Sequence, residues 1–589
     1  MVEPTRGTAS ENAPNTAAHP GIPQAQRLTT IAELERSIAL LSSKKDAWAS
    51  TSASERVRLL DAVTEAFAPL CETWVQLGLE AKGAKSDPYA SGWEWGSGPM
   101  PILRYLRALR RTLRAIERTG RPLVPGPLAA RSNGQVSLRV YPTDIYERIT
   151  TAATTVDVWM EPGLSSEGVI AAQPGAYSAA AHLGRVCLVL GAGNISGIPV
   201  NDTLSKLFVD NCVVLLKMNP VNDYLGPLIR AALDPLVSRG YLQVVFGGAT
   251  EGSFLTSHPG IDCIHLTGSD RSYEAIAFGP QPDAKRRKAE RSPICVKPIT
   301  AELGNVAPAI IVPGPWSEQD LRYQAEQLAA NLCDGGSYSC SRTRVIVQHS
   351  GWALGDCLLD QLQTSLSEIQ QRRAYYPGAR ELYERFVSAH PQARRCGKPV
   401  DGALPWTLIP EVDSANENDP CFTTESFCPV MAATKLKASS PAEFVARAVD
   451  FANNSLWGTL TASIIVHPHS LRDPVLRKAV EDAIERLRYG VVAVNCLPGL
   501  VWGMAVPPWG SFPGNEPWDI QSGTGFVNNA YMLSGVQKTL LRGPFRSWPL
   551  PPWFPSKGKG MADICRRVAA YEARPSLGRL LAIVVAAVR

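Results

Sequence analysis

The sequence predicts an α/β protein with a doubly wound parallel sheet, a second α/β region and a loop-rich C-terminal segment. Three observations carry that expectation. Four apolar runs between Gly184 and Ser269, "RVCLVLGAG", "CVVLLKMNP", "YLQVVFGG" and "CIHLTGS", read as buried strands separated by helical stretches. A second alternation starts at "PAIIVP" (308–313), passes through the helical "SEQDLRYQAEQLAANL" to "RVIVQ" (344–348), and continues to about Asn495. From Trp502 onward Pro, Trp and Gly dominate, which suggests an ordered covering segment.

The elements divide 589 residues into four parts: a disordered tail at 1–27, an α/β unit with N-terminal helices at 28–302, a second α/β unit at 303–500, and a bridging segment with a C-terminal helix at 501–589. The tail is rich in Pro, Ala, Thr and Asn and contains no apolar run of the kind a leader peptide needs. From Thr29 to Gly120, apolar residues recur at three- and four-residue spacing. Ser54 is the expected N-cap of one helix, Gly120 ends another, and the arginines of "RYLRALRRTLRAIERTG" form a solvated face. The apolar run "LLAIVVAAV" (580–588) is too short to span a bilayer, and packing on its own protein is favoured over contact with a membrane surface.

Composition narrows the function classes. A hydrophobic fraction of 45% and a charged fraction of 19% are ordinary for a globular chain. A formal charge of +5 on this length demands neither a nucleic-acid nor an anionic-membrane partner. Thirteen scattered cysteines, with no C-x-x-C pair and no His-bearing metal spacing, fit reduced thiols in the cytoplasm, with no metal site expected.

"VCLVLGAGNISG" imitates a dinucleotide fingerprint, but its spacing through Gly191, Gly193 and Gly197 is G-x-G-x-x-x-G. The next strand ends in Lys217 where an acidic residue would bind ribose. Five segments fit better when taken together: "GAGNISGIP", "LLKMNP", "HLTGS", "ELGN" and "ESFCPV", with the loop "DGGSYSCSRTRVIV" between the last two. Their order resembles the aldehyde dehydrogenase superfamily over roughly 48–529, in the flavour of an atypical bacterial branch.

That resemblance implies a doubly wound, Rossmann-type cofactor domain, an α/β catalytic domain and a bridging, oligomerisation segment. It implies a small aldehyde as substrate, NAD or NADP as cofactor, and a homo-oligomer. The nucleophile is expected at Cys340, because a thiolate adds readily to a carbonyl. The common family pattern sets its cysteine five residues before the basic residue that opens the next strand. Ser339 holds that position relative to Arg344, and Cys340 follows the closer spacing of the atypical branch. Cys333 is expected in the core. Asn194 matches the side-chain amide that stabilises the oxyanion. Glu302 matches the general base that activates water against a thioester.

By the same resemblance, Lys217 meets the adenosine ribose or its 2′-phosphate. Gly268 and Ser269 open a helix facing pyrophosphate, Glu425 holds the nicotinamide ribose and Phe427 packs near its ring. Pro220 stands where NAD-preferring members carry a glutamate, which leaves NADP as acceptable as NAD. The basic run Lys285, Arg286, Arg287, Lys288 and Arg291 is first a solvated loop, with a 2′-phosphate or an acidic partner as its other uses. Two rivals remain: a coenzyme-A-linked reductase or acylating enzyme on the same fold, which the presence of Glu302 disfavours, and a degenerate nucleotide-binding scaffold.

Overall fold

The computed structural model describes residues 26–150, 153–173, 177, 183–554 and 560–588; residues 1–25 of the expected tail lie outside them. The four predicted strands form at Arg185–Leu190, Cys212–Met218, Leu242–Phe246 and Cys263–Thr267. Each is apolar along nearly its whole length because helices cover both faces of the sheet. Ile299–Glu302 adds a fifth parallel strand, and Gly523–Thr524 pairs antiparallel beside it. Across this sheet the order is 523–524, 299–302, 263–267, 185–190, 212–218, 242–246. The strand order therefore reverses between Arg185–Leu190 and Cys263–Thr267, and the carboxyl ends of strands on either side of such a reversal are where open α/β sheets bind ligands.

The second sheet has 11 strands. Its parallel centre contains Val536–Arg542, Val491–Val494, Thr461–Ile465, Ala307–Ile311, Thr343–His349, Val430–Leu436 and Trp406–Val412. Leu128–Ala130, Val136–Tyr141 and Thr155–Met160 extend one edge antiparallel through Val536–Arg542. Residues 128–160 thus precede the first sheet in sequence but belong to the second.

Three local expectations change. The helix Ala53–Phe67 is capped by Ser52, whose hydroxyl accepts from the Glu55 amide, while Ser54 bonds sideways to Ser52. The arginine face of Pro99–Thr119 is only partly solvated. Arg104 is buried against Glu147 and Glu572, and Arg107 also pairs with Glu572, because the helix Met561–Ala573 packs across that face. The basic run forms a helix, Asp283–Ala289, neutralised by Arg286–Glu290, Arg287–Asp283 and Lys288–Glu274 pairs. At the C-terminus, Leu577–Val588 buries Leu580 and Ile583 beside Tyr146 and Tyr571. No helix among the described residues is long and apolar enough to cross a membrane.

Candidate active site

Four of the sequence-derived positions, Lys217, Gly268, Ser269 and Glu302, lie at the carboxyl ends of strands of the first sheet. The Gly191 amide donates to the Lys217 carbonyl at 3.0 Å, which ties the glycine turn to the end of the neighbouring strand. Gly193 is a glycine by necessity, since a Cβ there would lie 2.6 Å from Asn219 Oδ1. Lys217 is buried, and desolvation pulls its ammonium below the usual lysine range against the opposing charge of Glu251. Ser269 caps the helix Asp270–Phe278 and accepts from the Ser272 amide at 3.2 Å. The Gly268 amide donates to the Glu302 carbonyl at 3.1 Å, so this turn is bonded directly to the residue expected to act as base.

Cys340 arrives from the other sheet. The helix Glu318–Cys333 ends, and Gly335, Gly336 and Ser337 follow in the left-handed region with φ of 59°, 70° and 74°. The Arg344 guanidinium fixes this reversal by donating to Ser337 Oγ, Ser337 O, Ser339 O and Cys428 O. The resulting turn buries the Ser339 side chain at 1% exposure and leaves Cys340 half-buried. The Cys340 thiol donates to Glu302 Oε1 at 3.5 Å, whereas the Ser339 hydroxyl bonds to Ser341 Oγ. Cys333 is fully buried in the core between helix and sheet.

Glu302 ends its strand at 3% exposure. Its carboxyl is pushed up to about 8, chiefly by burial and then by the negative charge of Asp202. Two hydrogen bonds to Oε1 oppose that rise, one from Trp509 Nε1 at 2.7 Å and one from Cys340. The Cys340 thiol is raised well above its ordinary value, first by burial and then by the charges of Glu302 and Glu425. A carboxylate near neutrality and a thiol in direct contact form a pair able to exchange a proton. Asn194 lies against the same turn, its Nδ2 donating to the Tyr338 carbonyl at 3.1 Å, two residues before the cysteine.

Glu425 and Phe427 close the other side. Glu425 Oε1 is buried without a hydrogen-bond partner, and burial lifts this carboxyl to about 7, with Arg344 opposing. The neighbouring glycine makes room for it, because a Cβ on Gly304 would fall 1.8 Å from Glu425 Oε2. Phe427 stacks edge-on to Tyr376 at 4.9 Å and approaches Tyr338 at 6.0 Å.

Comparison with known proteins places this arrangement. Residues 186–375 match the model of the aldehyde dehydrogenase family. A human 4-trimethylaminobutyraldehyde dehydrogenase is 34% identical over 113 residues, covering 19% of this chain and 20% of that protein. Its counterpart from Oryzias latipes is 28% identical over 350 residues, covering 53% and 63%. The chain thus spans less than two thirds of either curated relative. Among solved structures, an NADP-dependent glyceraldehyde-3-phosphate dehydrogenase from Bacillus halodurans, complexed with NADP, aligns over 87% of this chain and 92% of its own at TM-score 0.57 and 18% identity. A Mycobacterium tuberculosis aldehyde dehydrogenase complexed with NAD+ aligns over 87% and 91% at the same TM-score and identity. Residues 186–375 are thus similar to the aldehyde dehydrogenase family, and the chain shares the fold of solved aldehyde dehydrogenases over 87% of its length.

Several residues around this site escaped the sequence reading. Trp509 lies in the Pro- and Trp-rich stretch, read there as covering, yet it grips the Glu302 carboxylate. Tyr338, Tyr375 and Tyr376 form an aromatic cluster with Phe427. Asp202, on the buried helix Ile198–Phe208, bonds to Thr267 and His265 and charges the ground near Glu302. The adjacent "YSC" and "AYYP" were signals for the tyrosines; nothing in the sequence singled out Asp202.

Proposed function

We propose that this protein oxidises a small aldehyde to a carboxylic acid with NAD+ or NADP+ through a covalent adduct on Cys340. The observation that carries the reading is the 3.5 Å contact between the Cys340 thiol and a Glu302 carboxylate whose affinity for protons is raised toward neutrality. Glu302 takes the thiol proton, and the sulfur adds to the aldehyde carbon to form a hemithioacetal. The Asn194 amide, held by Tyr338, and the Cys340 backbone N–H stabilise the oxyanion. NAD(P)+, when bound, accepts the hydride. The C–H bond is thereby lost and the adduct becomes a thioester. Glu302 releases its first proton to solvent, removes a proton from water as the water attacks the thioester carbon, and returns that proton to the Cys340 sulfur as the acid leaves.

The residues present fit a nicotinamide dinucleotide. Glu425 Oε1 is a buried acceptor with its hydrogen-bonding capacity unused, suited to a ribose hydroxyl. Lys217 supplies a cation at the end of its strand, and the Pro220 position adds no carboxylate to repel a 2′-phosphate.

Aldehyde-dependent reduction of NAD+ and of NADP+ by the wild type and by Cys340→Ala tests the reading, together with acid-quench trapping of an acyl adduct. Turnover and an adduct in the wild type, both lost in Cys340→Ala by about 10³-fold or more, are expected. Oxidation undiminished in Cys340→Ala, or absent from the wild type across aliphatic and aromatic aldehydes, overturns it. A product thioester in the presence of coenzyme A overturns the hydrolytic step alone.

A further inference from the structure

A second cluster of donor atoms lies where the helix Ala379–Ala389 ends and the short helix Pro420–Thr423 begins. His390 caps the C-terminus of the helix Ala379–Ala389. Asp419 caps the short helix Pro420–Thr423, and Cys421 sits inside that helix. All three side chains are buried. One nitrogen of His390, one carboxylate oxygen of Asp419 and the sulfur of Cys421 lie within 4.8 Å of one another.

The hydrogen bonds around the cluster decide its chemistry. His390 Nδ1 lies 2.7 Å from the Phe386 carbonyl, which can only accept, so Nδ1 carries the hydrogen. In the neutral ring Nε2 then presents a lone pair. What it faces is Asp419 Oδ2 at 3.2 Å and Cys421 Sγ at 3.8 Å. Nitrogen, oxygen and sulfur thus surround one point, which the Cys421 thiol hydrogen fills in the protonated state and which a metal cation can fill in its place. The partners of these ligands are also in place. The backbone carbonyl orients the imidazole, and the other carboxylate oxygen, Asp419 Oδ1, accepts from the Cys421 amide at 2.8 Å.

We propose that His390 Nε2, Asp419 Oδ2 and Cys421 Sγ bind a divalent transition metal of the zinc class. Bond lengths of about 2.0 Å to nitrogen and oxygen and about 2.3 Å to sulfur give separations of about 3.3 and 3.5 Å at tetrahedral angles, against 3.2 Å from His390 Nε2 to Asp419 Oδ2 and 3.8 Å to Cys421 Sγ. A mixed N, O and S set selects a borderline cation over calcium or magnesium, which prefer oxygen ligands only. Three protein ligands leave a fourth position for water. The side chain of Asp419, at 11% exposure, gives that position access to solvent. On binding, the Cys421 thiol loses its proton to solvent and no redox change occurs. The sequence expectation of no metal missed the site because its ligands are spread over 390–421 without a repeated short spacing.

The test uses the full-length protein, incubated with zinc or cobalt(II) and dialysed, with metal content measured by mass spectrometry and the cobalt form by absorption. The expected result is about one metal per chain, intense visible bands of tetrahedral cobalt, and a near-ultraviolet sulfur-to-cobalt band. Cys421→Ser removes the sulfur band, His390→Gln weakens binding by at least about tenfold, and Cys340→Ala leaves both properties intact. Wild-type protein that retains no metal, or cobalt protein whose sulfur band survives Cys421→Ser, overturns the proposal. If the variants fail to fold, the wild-type cobalt spectrum alone decides, since absence of the sulfur band excludes a Cys421 ligand.

Discussion

Glu302 shows how one side chain serves two demands. Burial holds its carboxyl near 8, so the neutral acid dominates at moderate pH, and the carboxylate needed as base grows as pH rises. Glu302→Gln is expected to lower kcat by about 10²–10⁴-fold by slowing both formation of the adduct on Cys340 and its hydrolysis, two steps that single-turnover kinetics separates. The same shift has a stability sign. A carboxyl raised from 4.5 to about 8 on folding favours the native state below pH 4.5, and that advantage is lost as pH climbs through about 8. Glu302→Gln should therefore flatten the fall in denaturation midpoint across this window. Trp509 acts the other way on the same group, because its N–H favours the charged form. Trp509→Phe is expected to move the rising limb of the pH–kcat profile upward by about 1 pH unit. A limb that stays in place would separate Glu302 from the titration.

At the scale of elements, the turn carrying Cys340 depends on Arg344, whose guanidinium serves four buried acceptors at once. A lysine cannot span that fork. Arg344→Lys is expected to destabilise the fold by about 2–4 kcal/mol in denaturant titrations and to reduce cysteine-dependent turnover with it. The turn at Gly304 admits Glu425 only because it lacks a side chain. Gly304→Ala should displace that carboxylate and raise KM for the dinucleotide by about tenfold or more, with a smaller change in KM for aldehyde.

Much of this was legible in the sequence because the strands are apolar along their whole length and the helices are periodic. Arg185–Leu190, Cys212–Met218 and Thr343–His349 follow the runs that announced them. The choice between Ser339 and Cys340 was left to a one-residue register. In space it depends on which of two adjacent side chains turns inward, which the Arg344 anchor governs. Trp509 was hidden for a different reason. A tryptophan among prolines reads as packing, and its hydrogen-bond partner lies 207 residues away.

The whole molecule is arranged by sheet order more than by chain order. Lys217, Ser269 and Glu302 come from one sheet and Cys340 and Glu425 from loops of the other, with the Cys340 thiol in contact with Glu302. Interior contacts between the sheets are what align thiol and carboxylate, so a substitution far from both can alter turnover through a shift of one sheet against the other. One strand holds a special place in that plan. Val536–Arg542 is flanked by Val491–Val494 on one side and by Thr155–Met160 on the other. On a ribosome, the hairpin of residues 128–160 emerges long before the strand it must lie against. It has to wait, with an open edge, until residues 536–542 have been made. Synthesis rate and chaperone access between those two segments therefore bear on the yield of native protein.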